Sequence, residues 1–152
     1  MHKLFTFLLV LVFSSSVFSS PIHKGLISVK SPYNVSTTAN RLESILKNKG
    51  MTVFLRIDHA KTAKKFGEEI RPTELIVFGN PKVGSKLMHC AQTIGIDLPL
   101  KALIIEDENG QVWLSFNDPQ YLANRHQFEC NTVLNTISKA LDTFAESAIR
   151  HP

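Results

Sequence analysis

No HExxH, CxxC or His-x-His pattern occurs in the 152 residues, so no metal site announces itself locally. Ser85 lacks the Gly-x-Ser-x-Gly frame of a hydrolase nucleophile elbow, and Gly79 to Gly84 lacks the Lys-Ser/Thr ending of a phosphate-binding P-loop. A strong excess of one charge is also missing. The chain carries 17 Lys and Arg against 13 Asp and Glu, and apart from Lys61, Lys64 and Lys65 the bases are scattered, which argues against a nucleic-acid surface. Cysteine is scarce, with Cys90 and Cys130 the only two.

Long apolar runs are equally scarce. Leu4 to Phe13, broken only by Thr6, is about half the roughly 20 residues that a membrane-crossing helix needs. With Lys3 before it and a Ser-rich segment after it, this run reads as a signal peptide over 1–19. Cleavage after Ser19 would put Val17 and Ser19 at the small-residue positions. The mature chain, 20–152, is expected to be periplasmic or secreted, with no stable membrane anchor and no nucleic-acid partner. Loss of Lys3 leaves 16 basic against 13 acidic side chains, a mild excess. In an oxidising compartment the expected state of Cys90 and Cys130 is an intrachain disulfide, with free thiols or an intermolecular bridge as alternatives.

What is present fits one domain, since 43% hydrophobic residues suffice for a core. The stretch Glu74 to Gly84 organises it: the apolar run Leu75 to Phe78 reads as a buried strand closed by the forced turn Gly79-Asn80-Pro81. Before it, Gly25 to Lys30 reads as a strand. Ser36 to Lys49 reads as a helix with Ser36 as N-cap and Gly50 at its end, followed by a strand over Met51 to Ile57. One or two helical turns are expected within Lys61 to Glu69, and a short helix from Ser85 to Thr93, stopped by Gly95. Leu100 to Glu106 and Gln111 to Phe116 read as a hairpin around Asn109-Gly110. Asp118 caps a last helical region with Pro119 at its first position, and an apolar stripe from Phe128 through Phe144 packs on the sheet, the helix running to about 149. The expected fold is α+β: a mainly antiparallel sheet with helices on one face, in the order strand, helix, strand, strand, helix, hairpin, helix.

Several motifs stand in fixed order: Ile57-Asp58-His59, Arg71-Pro72-Thr73-Glu74-Leu75, Phe78-Gly79-Asn80-Pro81, Gly84, Leu87-Met88, Gly95 to Lys101, and Asn117-Asp118-Pro119 with Tyr121-Leu122 and Arg125-His126. By these the chain resembles the domain-of-unknown-function family DUF302, over about Gly25 to His126. The resemblance implies a small α+β domain like the TATA-binding-protein half-repeat, and a homodimer. It carries no established activity and no catalytic residue. His89-Cys90, and the helix bearing Cys130, depart from the family pattern and fit a local disulfide.

Each candidate residue has a plainer alternative. His59 could be a metal ligand or general base, because imidazole titrates near neutral pH, or it could hydrogen-bond the following turn. His89, Cys90, His126 and Cys130 could hold a soft metal if the thiols were free, His126 and Cys130 being four apart and so on one face of a helix. A disulfide with two surface histidines competes with that set. Glu69, Arg71 and Glu74 surround one proline, and Asp97 and Lys101 another; they could do acid–base work or form salt bridges and caps. Arg71 or Arg125 could clamp a carboxylate or phosphate.

The expected function is binding of a small ligand, anion, cofactor or metal at strand-end turns, by His59, Asn80, Glu74, Asp97 and Lys101, with no particular cofactor indicated. A small hydrolase or isomerase with His59 as base and Asn80 as oxyanion donor is the enzymatic alternative. A structural or partner-binding dimeric module is the third. A single site requires His59 and Asn80 within about 12 Å, the reach of one small ligand.

Overall fold

The computed structural model describes residues 24–151, so the expected signal peptide lies outside the described residues. In chain order the elements are β1 (Leu26–Ser31), α1 (Val35–Asn48), β2 (Thr52–Asp58), α2 (His59–Lys64), β3 (Thr73–Gly79), α3 (Pro81–Cys90), a 3-10 turn (Gln92–Ile96), β4 (Leu100–Glu106), β5 (Val112–Asn117), α4 (Pro119–Arg125) and α5 (Asn131–Ile149). The five strands form one sheet in the order β1-β5-β4-β3-β2, with every neighbouring pair antiparallel. β1 and β2 therefore lie at opposite edges, and α1 crosses the sheet between them. The expected α+β architecture is the observed one.

Period-two alternation sorts the strand residues onto two faces. Glu74, Ile76 and Phe78 of β3 stand opposite Ile104, Ala102 and Leu100 of β4, and this row faces the helices. The buried residues of α1, Val35, Thr38, Ala39, Leu42 and Leu46, recur at helical spacing and close over it. Leu134, Ile137, Leu141, Phe144, Ala145 and Ala148 form the corresponding stripe of α5. Together these residues make one core.

Local chemistry sets the helix ends. α1 begins one residue before Ser36, because the Asn34 carboxamide, not the Ser36 hydroxyl, accepts from the Thr37 amide at 2.8 Å. At its other end the Gly50 amide reaches Lys47 O (3.0 Å) and the Met51 amide reaches Leu46 O (2.9 Å), a Schellman closure that needs the positive φ of Gly50 (73°). The C-terminus of α5 is closed from outside: Arg41 donates through Nε to Ala148 O (2.6 Å) and through Nη2 to Arg150 O (2.7 Å), satisfying carbonyls that the helix leaves unpaired.

Further boundaries differ from expectation in ways that bear on the site. α2 starts at His59 because Asp58 caps it, accepting from the Lys61 amide at 2.7 Å. α3 starts at Pro81 and not at Ser85, because Asn80 caps it and proline needs no amide partner at the first position. It ends at Cys90, and the 3-10 turn follows as a separate element. Asp118 caps α4 as expected. The last helical region is two helices, so His126, the C-cap of α4, and Cys130, the N-cap of α5, do not share a helical face.

Candidate functional site

The register of β2 against β3 decides whether the expected residues can act together. Asp58 stands opposite Glu74 and Thr52 opposite Gly79. His59 follows Asp58 and Asn80 follows Gly79, so the two sit at opposite ends of the strand pair. About six steps of ~3.3 Å separate them, roughly 20 Å, beyond the reach of one small ligand. The expected companionship of His59 and Asn80 is therefore corrected: an antiparallel partner carries the end of one strand away from the end of the next.

The five candidates divide accordingly. Glu74 lies at the His59 end, buried on the helix-facing side, where Oε2 accepts from Arg56 Nε at 2.6 Å. Arg56 also bonds Glu43 Oε2 (3.1 Å) and Asn40 Oδ1 (2.7 Å) from α1. The hydrogen bond from Lys47 holds the Glu43 carboxyl below the usual range, assisted by Arg56 and opposed by burial, while the Glu74 hydrogen bond raises the Arg56 guanidinium. His59 is exposed at the first position of α2.

Asn80, Asp97 and Lys101 lie at the other end. Lys101 Nζ donates to the carbonyls of Asp97 and Pro99, at 2.9 Å each, and so fastens the turn before β4. The Asp97 carboxylate accepts from Arg125 Nη1 (3.0 Å) and lies 2.6 Å from His126 Nε2. The other nitrogen of that ring is 3.0 Å from Thr93 Oγ1.

Cys90 and Cys130 form a disulfide with Cα atoms 6.4 Å apart, as expected. The bridge removes both thiolates from the soft-metal set, and His126 is already engaged by Asp97 and Thr93. Among the described residues no group of three or more His, Cys, Asp or Glu is placed to hold a metal ion.

Asn80 borders an apolar cleft, about 420 Å³ in volume, between α3, α5 and the ends of β3 and β4. Phe78, Val83, Leu87, Leu98, Leu100, Ile137, Leu141 and Phe144 are among its walls, and among the described residues no charged side chain lines it. Its polar lining residues are Asn80, Ser85 and Thr136. Ser85 donates to Pro81 O (2.8 Å) and Thr136 to Thr132 O (2.8 Å), so each hydroxyl keeps lone pairs with which to accept. Asn80 Oδ1 accepts from the Lys82 amide at 3.0 Å, so its NH2 remains to donate. The turn over Gly79-Asn80-Pro81 thus borders a ligand-sized space, and capping fixes the orientation of its carboxamide.

Sequence reasoning missed the α5 wall of this cleft, because a stripe that packs fully on a sheet and one that leaves a space have the same periodicity. It missed Thr93 as well: 33 residues separate it from His126, and nothing local marks the pair.

A second, more polar cleft is bordered by Asp58, Lys61, Lys64, Glu69 and Glu74, among others. Glu69 and Glu74, paired in the sequence reading, both line it. The Arg56 bond occupies Oε2 of Glu74.

Comparison with known proteins agrees with the fold. Among solved structures, an uncharacterised conserved DUF302 protein from Bacillus stearothermophilus superposes with a TM-score of 0.67, at 18% identity, over 84% of this chain and 97% of that one. Among curated proteins, the chain is 49% identical over 108 residues to a chain of Brucella suis named fluoride-specific ion channel FluC 1, covering 71% of this chain and 42% of that one. A Brucella abortus relative of the same name matches at the same identity over 40% of its length. The chain thus spans about two fifths of the length of these relatives. The family profile of the domain of unknown function DUF302 matches residues 27–144, which reaches into α5 and places Cys130 inside the family domain. By this match the chain belongs to the DUF302 family.

Proposed function

We propose that the protein is a binding domain that holds a small, neutral, mainly apolar ligand in the cleft between the Asn80 turn and α5. The observation that carries this reading is a cleft of about 420 Å³ whose lining, among the described residues, includes no charged residue and only three polar side chains. Such a space falls in the range of small-molecule sites, whose walls are mostly apolar with a few placed polar groups. Without a cation in the wall, a buried carboxylate or phosphate would go unpaired at high cost, so a charged ligand is disfavoured. Action outside the cytoplasm fits the Cys90–Cys130 disulfide.

Gly84 provides the test. A Cβ built there meets only Leu98 Cδ1, at 3.8 Å, and the residue lies inside α3, where a side chain also improves helix propensity. Gly84→Leu fills the cleft without breaking the helix. A neutral apolar fluorophore, Nile red, is expected to bind the native protein and not the variant, with equal or higher melting temperature. Equal binding by both would overturn the proposal.

A second reading, association with a copy of itself, rests on the other face of the sheet. Leu55 is half exposed there, beside the partly covered Leu75, Val77, Leu103 and Ile105. No helix of the core stripe lies on that side. A dimer by light scattering that Leu75→Lys converts to monomer would favour it. The Brucella chains named as fluoride channels are matched over only about two fifths of their length, so their channel activity is not proposed for this chain. Among the described residues no helix is long and apolar enough to cross a membrane.

A further inference from the structure

His126 closes α4 with its ring almost wholly withdrawn from solvent; its side chain is 7% exposed and that of Asp97 13%. Both ring nitrogens are engaged, Nε2 with Asp97 Oδ2 at 2.6 Å and Nδ1 with Thr93 Oγ1 at 3.0 Å. An ionised carboxylate only accepts, so Nε2 carries the proton facing Asp97; in the neutral ring Nδ1 then accepts from the Thr93 hydroxyl. The order is hydroxyl, imidazole base, orienting carboxylate, which is the arrangement that activates a hydroxyl nucleophile. Relative to the serine-protease triad the two ring nitrogens exchange roles, and the logic of the proton path is unchanged.

The surroundings suit an acyl substrate. Thr93 is exposed on the 3-10 turn, so an incoming group can approach its oxygen. Arg125 precedes His126 and spends Nη1 on Asp97 Oδ1, while its side chain stays 51% exposed. The rest of its fork of donors is free to meet negative charge. Ile96, 74% exposed on the same turn, offers apolar surface. None of Thr93, Asp97, Arg125 or His126 lines the apolar cleft.

We infer that Thr93, His126 and Asp97 form a second site, a nucleophilic one, acting on small acyl esters. Thr93 Oγ1 bonds to the acyl carbon as its proton passes to His126 Nδ1. The bond to the leaving alcohol then breaks, and the alcohol departs with the proton from Nδ1. Water adds to the acyl-threonine carbon, giving a proton to Nδ1. Thr93 is expelled and recovers that proton, leaving a carboxylic acid. Asp97 holds the imidazole throughout and is a positioning residue.

The experiment uses the disulfide-bonded protein and p-nitrophenyl acetate, following nitrophenolate release and the mass of intact and digested protein. Acetylation of Thr93 is expected. Thr93→Val, which keeps the shape and removes the hydroxyl, should lower the rate by about 10²-fold or more, the scale of losing a nucleophile served by a general base. Thr93→Ser should retain acetylation at residue 93. Both substitutions sit on the surface, so the test does not depend on a variant with a disturbed core. An unchanged rate in Thr93→Val, or acetyl groups found only on lysines, would overturn the inference.

Discussion

Arg56 Nε meets Glu74 Oε2 at 2.6 Å across the first two paired strands, with the Glu74 side chain 8% exposed and that of Arg56 26% exposed. The carboxylate stands on the same strand face as Ile76 and Phe78, so it needs this partner to be tolerated there. Removing one member of a fully buried pair costs about 3–5 kcal/mol; the partial exposure of Arg56 lowers the expectation for Glu74→Gln or Arg56→Met to about 2–3 kcal/mol. Replacing both with Met should recover most of that loss, because no unpaired charge remains. Urea denaturation of the three variants checks this, and a double variant weaker than either single one would contradict it.

The chain's one tryptophan reports on the β4–β5 hairpin. Trp113 Nε1 donates to Asp107 Oδ2 at 2.8 Å, while Oδ1 accepts from the amides of Asn109 and Gln111 at 2.9 Å each. These bonds, that from Trp113 first, hold the Asp107 carboxyl below its ordinary range. A lowered carboxyl stabilises the fold above its unfolded value and loses that contribution as pH falls through the folded one. Trp113 fluorescence should therefore stay constant down to about pH 4, near the unfolded value for Asp, and change only below it. In Asp107→Asn that acid step should vanish, and its persistence would assign the step to another group.

The Cys90–Cys130 bridge spans 40 residues and ties the end of α3 to the start of α5. By the chain-entropy argument a loop of this length stabilises the fold by about 4 kcal/mol at most, and a measured loss of about 2–4 kcal/mol is expected on reduction. Guanidinium unfolding with and without reductant measures it. Thiol titration of the denatured protein should find no thiol before reduction and two after it; two before would remove the bridge.

Where interactions are local, the sequence was a good guide. The spacing of Ala39, Leu42 and Leu46 with Gly50 after them marks α1, and Asn109-Gly110 marks the β4–β5 turn. That turn is a three-residue loop with positive φ only at Gly110, closed by the Asp107 amide on Gln111 O. The cysteine pair and the expected export point to the bridge. Placement across the sheet was not legible. His59 and Asn80 both sit at strand ends, and only the antiparallel register shows that these are opposite ends. Asp97 was read as a turn residue without its partners, because Arg125 and His126 come from a helix 28 and 29 residues later. The turn at Asn80 is legible from Gly79 and Pro81, but its cap is not, because the spacing of Leu87, Met88 and Ala91 places the helix start at Ser85.

That double duty gives the Asn80 prediction its form. Oδ1 holds the Lys82 amide, and the NH2 group is the donor left at the cleft. Asn80→Asp keeps an acceptor for the cap and removes that donor. Its melting temperature should match the native protein while affinity for a neutral ligand with a carbonyl group falls, by about 1 kcal/mol for one lost hydrogen bond. Asn80→Ala removes both groups, so it should lose the same affinity and also about 1 kcal/mol of stability, the usual cost of an N-cap. Calorimetric titration with a neutral apolar ketone, beside thermal melts of both variants, separates the two effects. If Asn80→Asp bound as tightly as the native protein, Asn80 would be a helix cap that borders the cleft without contacting its ligand.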